Sequence, residues 1–210
     1  ELTNYIGDWP GCHVEMVRVS DLIAYWYPII SGSELGLPDG SSATRRKSLQ
    51  AAGTALRKHD PDFVGEAITH YILTRACEIE KTGILNGKGT VVCIVDSLKN
   101  QHDVDSLRRV YGREFFFSFV HANKDIRWRR MRDYKSWRND EERDFYELDA
   151  IDSHEKETNP DVGDAGQQVR KLAEMADYFI VNNINRERLV VDGKRFFKIL
   201  MGGDSNQPTV

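Results

Sequence analysis

One short segment limits the architectures open to this chain more than any other. Residues 90–95 read Thr-Val-Val-Cys-Ile-Val, a run of mostly β-branched residues that ends at Asp96. A strand with one solvated face alternates apolar and polar residues, whereas a continuous apolar run indicates burial on both faces. Such burial is typical of a parallel sheet that has helices on both sides. The segment therefore predicts an α/β domain.

The segments around this strand alternate between strand and helix patterns. We predict further strands over 13–20, 114–120 and 178–181, a short addition over 189–192, and helices over 22–27, 45–59, 63–81, 104–111, 125–137, 166–175 and 194–201. Residues 31–42 are rich in Gly, Pro and Ser, which predicts a loop. Strands that alternate with helices over short connections favour a mostly parallel sheet.

The composition is that of one soluble globular domain. The chain has 210 residues, of which 40% are hydrophobic, and a formal net charge of −4. These values exclude disorder of the whole chain and argue against a general nucleic-acid coat. The sequence has neither the apolar run of roughly 18 residues that a membrane span needs nor a secretory leader at its start. Cys12, Cys77 and Cys93 are too widely spaced for a metal motif or a disulfide framework, so we expect a cytoplasmic protein.

Polar residues that directly follow the predicted strands are the first candidates for a binding site. In an open α/β sheet, ligands bind beyond the carboxyl ends of the strands. These positions hold Ser20-Asp21, Asp96, His121 and Asn182-Asn183. Asp96 is the strongest candidate, because a carboxylate at the end of a buried strand can hold magnesium or a substrate hydroxyl. Capping of the next helix explains Asp96 equally well.

An arginine-rich stretch is the second candidate. Arg127 and Arg130 lie three residues apart in a predicted helix and so share a face, where two guanidinium groups suit a phosphate clamp. The alternative is a solvated face that pairs with the acidic run 140–142, and composition alone slightly favours it. Trp128 and Trp137 are more typical of packing than of base stacking.

Two segments imitate known motifs without completing them. His13-Val14-Glu15 matches half of a zinc deaminase site, but the P-C-x-x-C that completes the ligand set is not in the chain. Gly87-Lys88-Gly89-Thr90 looks like the end of a phosphate loop, but it precedes a strand, whereas a phosphate loop follows a strand and opens a helix. Both segments are therefore interpreted as structural.

The order of the segments resembles the P-loop small-molecule kinases of the nucleoside monophosphate and dephospho-coenzyme A kinase type. HVEMVRVSDLI is similar to their second strand and the Asp that follows it, here Asp21. RKSLQAAGTALRKHDPD is similar to the substrate-side helix whose arginine meets a phosphate, here Arg57. VVCIVDSLKN, which contains Asp96 and Lys99, is similar to the strand that ends in Asp. ADYFIVNN is similar to the last strand, whose following loop, here at Asn182, lies near the nucleotide base.

The resemblance is closer to the N-terminal kinase-like domain of the deoxycytidylate deaminase family, including antiviral dCTP deaminases. Its segments are LQAAGTALR, VVCIVDSLKNQHDVDSLRRVYG, GDAGQQVRKLAEMADYFIVNN and RFFKILMGGDSNQPTV, and it covers nearly the whole chain. It implies a three-layer P-loop kinase-like domain over 1–203 and the start of a linker to a second domain over 204–210. Residues 1–6 resemble the end of the helix after the phosphate loop, so the domain would lack its first strand and that loop.

The resemblance also implies a ligand and its binding residues. The implied ligand is a nucleotide triphosphate with magnesium. The residues implied to bind nucleotide or phosphate are Asp21, Arg57, Asp96, Lys99, Arg127, Arg130 and Asn182. Catalytic and metal-binding residues are expected outside this chain, since zinc belongs to the deaminase domain that would be its partner in cis.

The implied parent protein converts dCTP or dCMP to the uracil form, in antiviral defence by nucleotide depletion, and this chain alone is not expected to be catalytic. A homo-oligomer and an inhibitory RNA or protein are further partners that the resemblance suggests, whereas a membrane is not. Two alternatives remain open. One is a free-standing ATP-dependent small-molecule kinase, and the other is a non-catalytic oligomerisation scaffold.

Overall fold

The computed structural model describes residues 2–9, 11–37, 42–84, 89–133 and 142–202. Within these ranges there are four strands, namely β1 (Cys12–Arg18), β2 (Thr90–Asp96), β3 (Ser118–His121) and β4 (Tyr178–Val181). The α-helices of the same ranges are α1 (Leu2–Gly7), α2 (Val19–Ser31), α3 (Ser42–His59), α4 (Phe63–Lys81), α5 (Gln101–Tyr111), α6 (Lys124–Asp133), α7 (Glu142–Thr158), α8 (Val169–Leu172) and α9 (Arg186–Leu200). Short 3-10 turns lie at Gly112–Glu114, Pro160–Ala165 and Ala173–Met175.

The strands form two parallel pairs. β1 pairs with β2, with Cys12 opposite Thr90 and Arg18 opposite Asp96. β3 pairs with β4, with Phe119 opposite Phe179. In the described part of the chain β2 and β3 are not hydrogen-bonded to each other, so the pairs are two separate sheets. The described residues therefore form a mixed helix and strand structure with two small parallel sheets, and helices connect the paired strands as in α/β proteins.

Two hydrophobic clusters connect the sheets to their helices. The larger one packs α2, α3, α4 and α5 against β1, and its buried residues are Val17, Val19, Ile23, Ala52, Leu56, Val64, Ile68 and Leu107. A smaller cluster of Val104, Phe117 and Leu172 lies beside the second sheet. Leu98 and Phe115 contact both clusters. The two sheets therefore lie next to each other around a shared apolar contact.

The predicted burial of the strands on both faces is wrong. The inner residues of β2 are half-buried and its two end residues are exposed. In β4 only Ile180 is buried, while Phe179 is 53% and Val181 58% exposed. Val120 in β3 is exposed as well. Each sheet has only two strands in the described ranges, so these apolar faces are only partly covered.

Most predicted elements are present, with shifted ends. α4 and β4 have the predicted bounds, β3 begins at Ser118 rather than at residue 114, and α9 is one helix where we predicted two elements. Helix α7, whose backbone departs from helical geometry at His154, was not predicted. Several predictions concern positions outside the described residues: Glu1, 38–41, Gly87-Lys88, the end of the helix at 134–137 with Trp137, 140–141, and the linker 204–210.

Among the helices of the described ranges, none combines the length and the apolar character that crossing a membrane requires.

Candidate functional site

A cavity of about 300 Å³ lies beyond the carboxyl ends of β1 and β2. Ser20, near the end of β1, and Ser97, just after β2, both line it. Helix α3 contributes one wall, and Lys99, Met131 and Gln167 also reach the cavity. This is the position at which open α/β sheets bind their ligands.

The wall from α3 follows from helical periodicity. Arg46, Gln50, Gly53 and Arg57 are spaced by four, three and four residues, so they lie along one face of the helix. Arg45 lines the cavity from the adjoining position. With Lys99, four cationic side chains border the same small space. A surface of this kind attracts anions.

Arg57 is the most deeply buried of the four cations. Its Nε and Nη2 donate to the two carboxylate oxygens of Asp103 on α5, at 2.9 and 2.7 Å. The two side chains are 2% and 0% exposed. No described residue accepts a hydrogen bond from Nη1, which lies 3.4 Å from the position that a Cβ on Gly53 would occupy. Because Gly53 lacks that carbon, the free guanidinium edge stays open to the cavity.

Asp152 on α7 connects two other cations. Its Oδ1 accepts from Lys99 Nζ at 2.8 Å and from Gln50 Nε2 at 2.6 Å, and its Oδ2 accepts from Arg46. Burial by itself raises the pKa of Asp152, but the charges of Lys99 and Arg46 outweigh burial and hold that pKa below its usual range. For Lys99 the balance is reversed. Burial, with the nearby arginines, lowers its pKa by more than Asp152 raises it.

The cavity keeps an excess of positive charge. Asp103 and Asp152 compensate two of the four cations, and the exposed side chain of Arg45 forms no hydrogen bond or ion pair with a described residue. Among the described residues, the cavity lining itself contains these four cations and no carboxylate. Val19, Ile23 and Leu49 add an apolar side to the cavity. The arrangement suits an organic molecule that carries an anionic group such as phosphate.

Buried polar contacts hold the segment that brings Gln167 to the cavity. Glu155 accepts from the Gln167 backbone N–H and from the Thr54 hydroxyl, both at 2.9 Å. The Asn100 side-chain amide donates to the Asp164 and Gly166 carbonyl groups at 2.8 and 2.6 Å. Thus α3, α7 and the start of α5 together fix this edge of the cavity.

Of the predicted site residues, the structure brings Arg57 and Lys99 together at the cavity. Asp21 is exposed in the first turn of α2 and lines a separate hollow next to Tyr71. Asp96 is exposed at the end of β2, and its carboxylate forms no hydrogen bond or ion pair with any described residue. It does not line the cavity, although Ser97 beside it does.

Arg127 and Arg130, the two predicted site residues of α6, have separate partners. Arg127 donates to both carboxylate oxygens of Asp149 and, at 3.0 Å, to the Ala122 carbonyl oxygen. Arg130 Nη1 donates to the Asn182 carbonyl oxygen at 2.9 Å. Neither arginine lines the cavity. Among the described residues the acidic partner of Arg127 is Asp149, which lies in the unpredicted helix α7, whereas residues 140–141 of the acidic run lie outside the described ranges.

The region around α6 and the end of β4 also contains Asn182 and Trp128, two residues that the sequence analysis discussed. Arg130 Nη2 and Asn182 Oδ1 are buried atoms that have no hydrogen-bond partner among the described residues, so the end of β4 contains polar groups that this part of the chain does not satisfy. Packing is the confirmed role of Trp128, which is buried with its ring 5.4 Å from that of Phe145.

Sequence reasoning missed Arg45, Arg46, Gln50 and Asp152. The four-residue spacing of Arg46 and Gln50 in a predicted helix that also carries Arg57 was a usable signal. For Asp152 there was none, because its partners are 53 and 106 residues away in sequence. Across the described residues, His, Cys, Asp and Glu side chains form no group of three or more that could hold a metal ion.

Comparison of the chain with models of known protein families gives no match, and comparison with curated proteins gives none either.

Proposed function

We propose that this chain is a nucleotide-binding, P-loop kinase-like domain and that its cavity receives a phosphate group of the nucleotide. The observation that carries the proposal is the buried Arg57, whose Nε and Nη2 are fixed by Asp103 while Nη1 is left at the cavity wall. A buried guanidinium that keeps free donors is suited to a phosphate oxygen. Arg45 and Lys99 border the same space and supply further charge.

The sheets support the fold part of this proposal. β2 and β3 belong to adjacent parallel pairs, and each has an edge without a strand neighbour in the described ranges. Open edges and exposed apolar faces such as those of Val120, Phe179 and Val181 are normally covered in α/β proteins. A further parallel strand between β2 and β3, followed by a phosphate loop and a helix, would join the pairs into one three-layer domain.

The parent protein that we propose is a deoxycytidylate deaminase, which converts dCTP or dCMP to the uracil form and so depletes nucleotides in antiviral defence. Support comes from the sequence resemblance together with the cavity, which is sized for one small ligand. The zinc ion of such an enzyme would belong to a deaminase domain in cis. The cytoplasm is the compartment that this role implies, and a homo-oligomer and an inhibitory RNA or protein are partners open to it.

A free-standing kinase is the second candidate, and Asp96 is the observation that favours it. Its exposed carboxylate at the end of β2 has no protein partner in the described ranges. A carboxylate in that place suits a magnesium ion that accompanies a nucleotide triphosphate. In phosphoryl transfer, positioning and charge neutralisation supply most of the catalysis. Turnover of ATP with a nucleotide acceptor would favour this candidate over a binding domain.

Isothermal titration calorimetry with dCMP, dCTP and Mg-ATP tests the proposal. Arg45→Ala should weaken nucleotide binding about tenfold, the equivalent of losing one charge-assisted contact of about 1.4 kcal/mol. Lys47→Ala is the matched control, since it removes an equal charge from an exposed position of α3 that does not line the cavity. Equal effects of the two variants, or no binding of any nucleotide by the wild type, would contradict the phosphate-binding role.

A further inference from the structure

Lys99 lies in an unfavourable environment for a positive charge at the edge of the cavity. Its pKa is lowered, first by burial and then by the charges of Arg46 and Arg57 on α3. Asp152 on α7 is the group that opposes them, through its charge and its hydrogen bond. The protonated state of Lys99 therefore depends on one carboxylate from a helix that does not itself line the cavity.

Asp152 is fixed well enough to act in this way. Its Oδ1 lies 2.8 Å from Lys99 Nζ, and the same oxygen accepts from Gln50 Nε2 at 2.6 Å. The Gln50 amide donates in addition to the Leu148 carbonyl oxygen at 3.3 Å, which ties the carboxylate to its own helix. The second oxygen, Oδ2, holds Arg46. One anion thus orders two cations that border the cavity.

The backbone of Lys99 is held independently of Asp152. The Lys99 carbonyl oxygen accepts from the Gln168 backbone N–H at 2.7 Å. Next to Lys99, Asn100 is completely buried and its amide holds the Asp164 and Gly166 carbonyl groups. Loss of the Asp152 charge should therefore change the protonation of Lys99 more than the position of its backbone.

We infer that Asp152 is a positioning residue that keeps Lys99 protonated beside Arg46, so that a phosphate in the cavity meets both cations. This inference rests on the proposed function and explains how the phosphate-binding cavity keeps the positive charge of Lys99. An ammonium on Lys99 binds a dianionic phosphate, whereas a neutral amine attracts it far less. Asp152 needs no contact with the ligand to have this effect.

The first test is the pH dependence of dCMP binding, measured by calorimetry between about pH 7.5 and about pH 9.5, where the phosphate remains a dianion. From the lower to the higher pH, the dCMP affinity of Asp152→Asn should fall about tenfold more than that of the wild type. The reason is that Lys99 loses its proton at a lower pH once the Asp152 charge is gone. Asp149→Asn is the control. It removes a buried carboxylate one turn earlier in α7, whose partners are Arg127 and Lys124 rather than a cavity residue.

A double variant separates charge from structure. In Asp152→Asn combined with Lys99→Arg, the added pH dependence should disappear, since a guanidinium stays protonated throughout the interval. A merely structural role of Asp152 predicts weaker binding that is the same at every pH and is not corrected by Lys99→Arg. Parallel pH profiles for the wild type and Asp152→Asn would overturn the inference.

A measurement without ligand keeps this inference distinct from the proposed function. Titration of the Lys99 ¹³Cε resonance by NMR should show a lower midpoint in Asp152→Asn than in the wild type, and a wild-type Lys99 that is still protonated at about pH 7. If Asp152→Asn does not fold, Arg46→Gln provides a second variant. It should raise the midpoint, because Arg46 lowers the pKa of Lys99. Unchanged midpoints of the Lys99 titration, or a wild-type Lys99 that is neutral at about pH 7, would overturn the role of Asp152 even if dCMP binds. Failure of dCMP to bind would count only against the proposed function.

Discussion

Arg57 and Asp103 form a two-point ion pair in the interior, with donor–acceptor distances of 2.9 and 2.7 Å and side chains that are 2% and 0% exposed. The pair joins α3 to α5 across 46 residues of sequence. It also leaves one edge of the guanidinium at the cavity. Arg57 therefore contributes both to the stability of the fold and to the binding of a ligand, and separate variants can test the two roles.

Loss of the Asp103 charge should strongly destabilise the fold. Asp103→Asn leaves a buried guanidinium without a counter-charge, and breaking a buried pair in this way costs about 3–5 kcal/mol. Asp62→Asn is the control, because its ion pair with Arg109 lies at the surface and such pairs contribute roughly 0–1 kcal/mol. Urea unfolding of both variants gives the two free energies. Similar small losses would show that the buried pair is not a main stabilising contact.

Gly53→Ala should weaken ligand binding without weakening the fold. The added Cβ would lie 3.4 Å from Arg57 Nη1 and 3.1 Å from Ile23 Cδ1, on the cavity wall. Alanine is a better helix former than glycine by about 1 kcal/mol, which offsets the close contact with Ile23. We expect reduced dCMP affinity in calorimetry and an unfolding midpoint close to that of the wild type.

Gly65→Ala provides the opposite case. Its Cβ would stand 2.6 Å from the Ser106 Cβ, at the contact of α4 with α5 and away from the cavity. Overpacking of this kind costs typically about 1–3 kcal/mol. The variant should unfold at lower urea concentration and, while folded, bind dCMP normally. If Gly53→Ala instead destabilises the fold and leaves affinity intact, the cavity wall has been assigned wrongly.

The ion pairs of Asp152 should make stability depend on pH in the acidic range. The folded pKa of this carboxyl lies below its ordinary value of 3.8, because Lys99 and Arg46 outweigh the opposite effect of burial. As the pH falls, the Asp152 carboxylate therefore binds its proton at a higher pH in the unfolded chain than in the folded protein. The stabilisation is complete above the unfolded pKa and is lost as the pH falls through the folded one. The free energies of unfolding of the wild type and Asp152→Asn should converge toward acidic pH, and a difference that stays constant would contradict this.

Arg130→Ala tests the phosphate role of the arginine helix. Arg130 donates to the Asn182 carbonyl oxygen, and its buried Nη2 has no hydrogen-bond partner in the described ranges. Because Nη2 could donate to a second phosphate group outside the cavity lining, we expect the variant to weaken binding of a nucleotide triphosphate more than that of a nucleoside, as measured by calorimetry. Arg129→Ala, an exposed neighbour, is the control. Equal losses for both ligands would reject a phosphate contact by Arg130.

The elements that could be predicted are those whose pattern is local. β2 and β4 are continuous apolar runs, and α4 has an apolar stripe that ends at a glycine. Helix α7 escaped prediction because its apolar residues Phe145, Leu148 and Ile151 are surrounded by acidic ones, which is typical of a solvated segment.

The site was predictable only in part for a related reason. Arg57 and Lys99 were identified only through the family resemblance, and both reach the cavity. The burial of Asp152 and Glu155 depends on partners from α3 that lie 101 to 106 residues away in sequence. Pairings at such distances are set by tertiary packing and leave no trace in local spacing. Acidic residues that look solvated in the sequence can thus become the buried counter-charges of a cationic cavity.

A crystal structure of the protein with dCMP would test the central claim most directly. Our account predicts the phosphate within hydrogen-bond distance of Arg57 Nη1, with Arg45 and Lys99 as further contacts. A nucleotide bound elsewhere with its phosphate away from these three cations, or a cavity occupied by an uncharged part of the ligand, would contradict it.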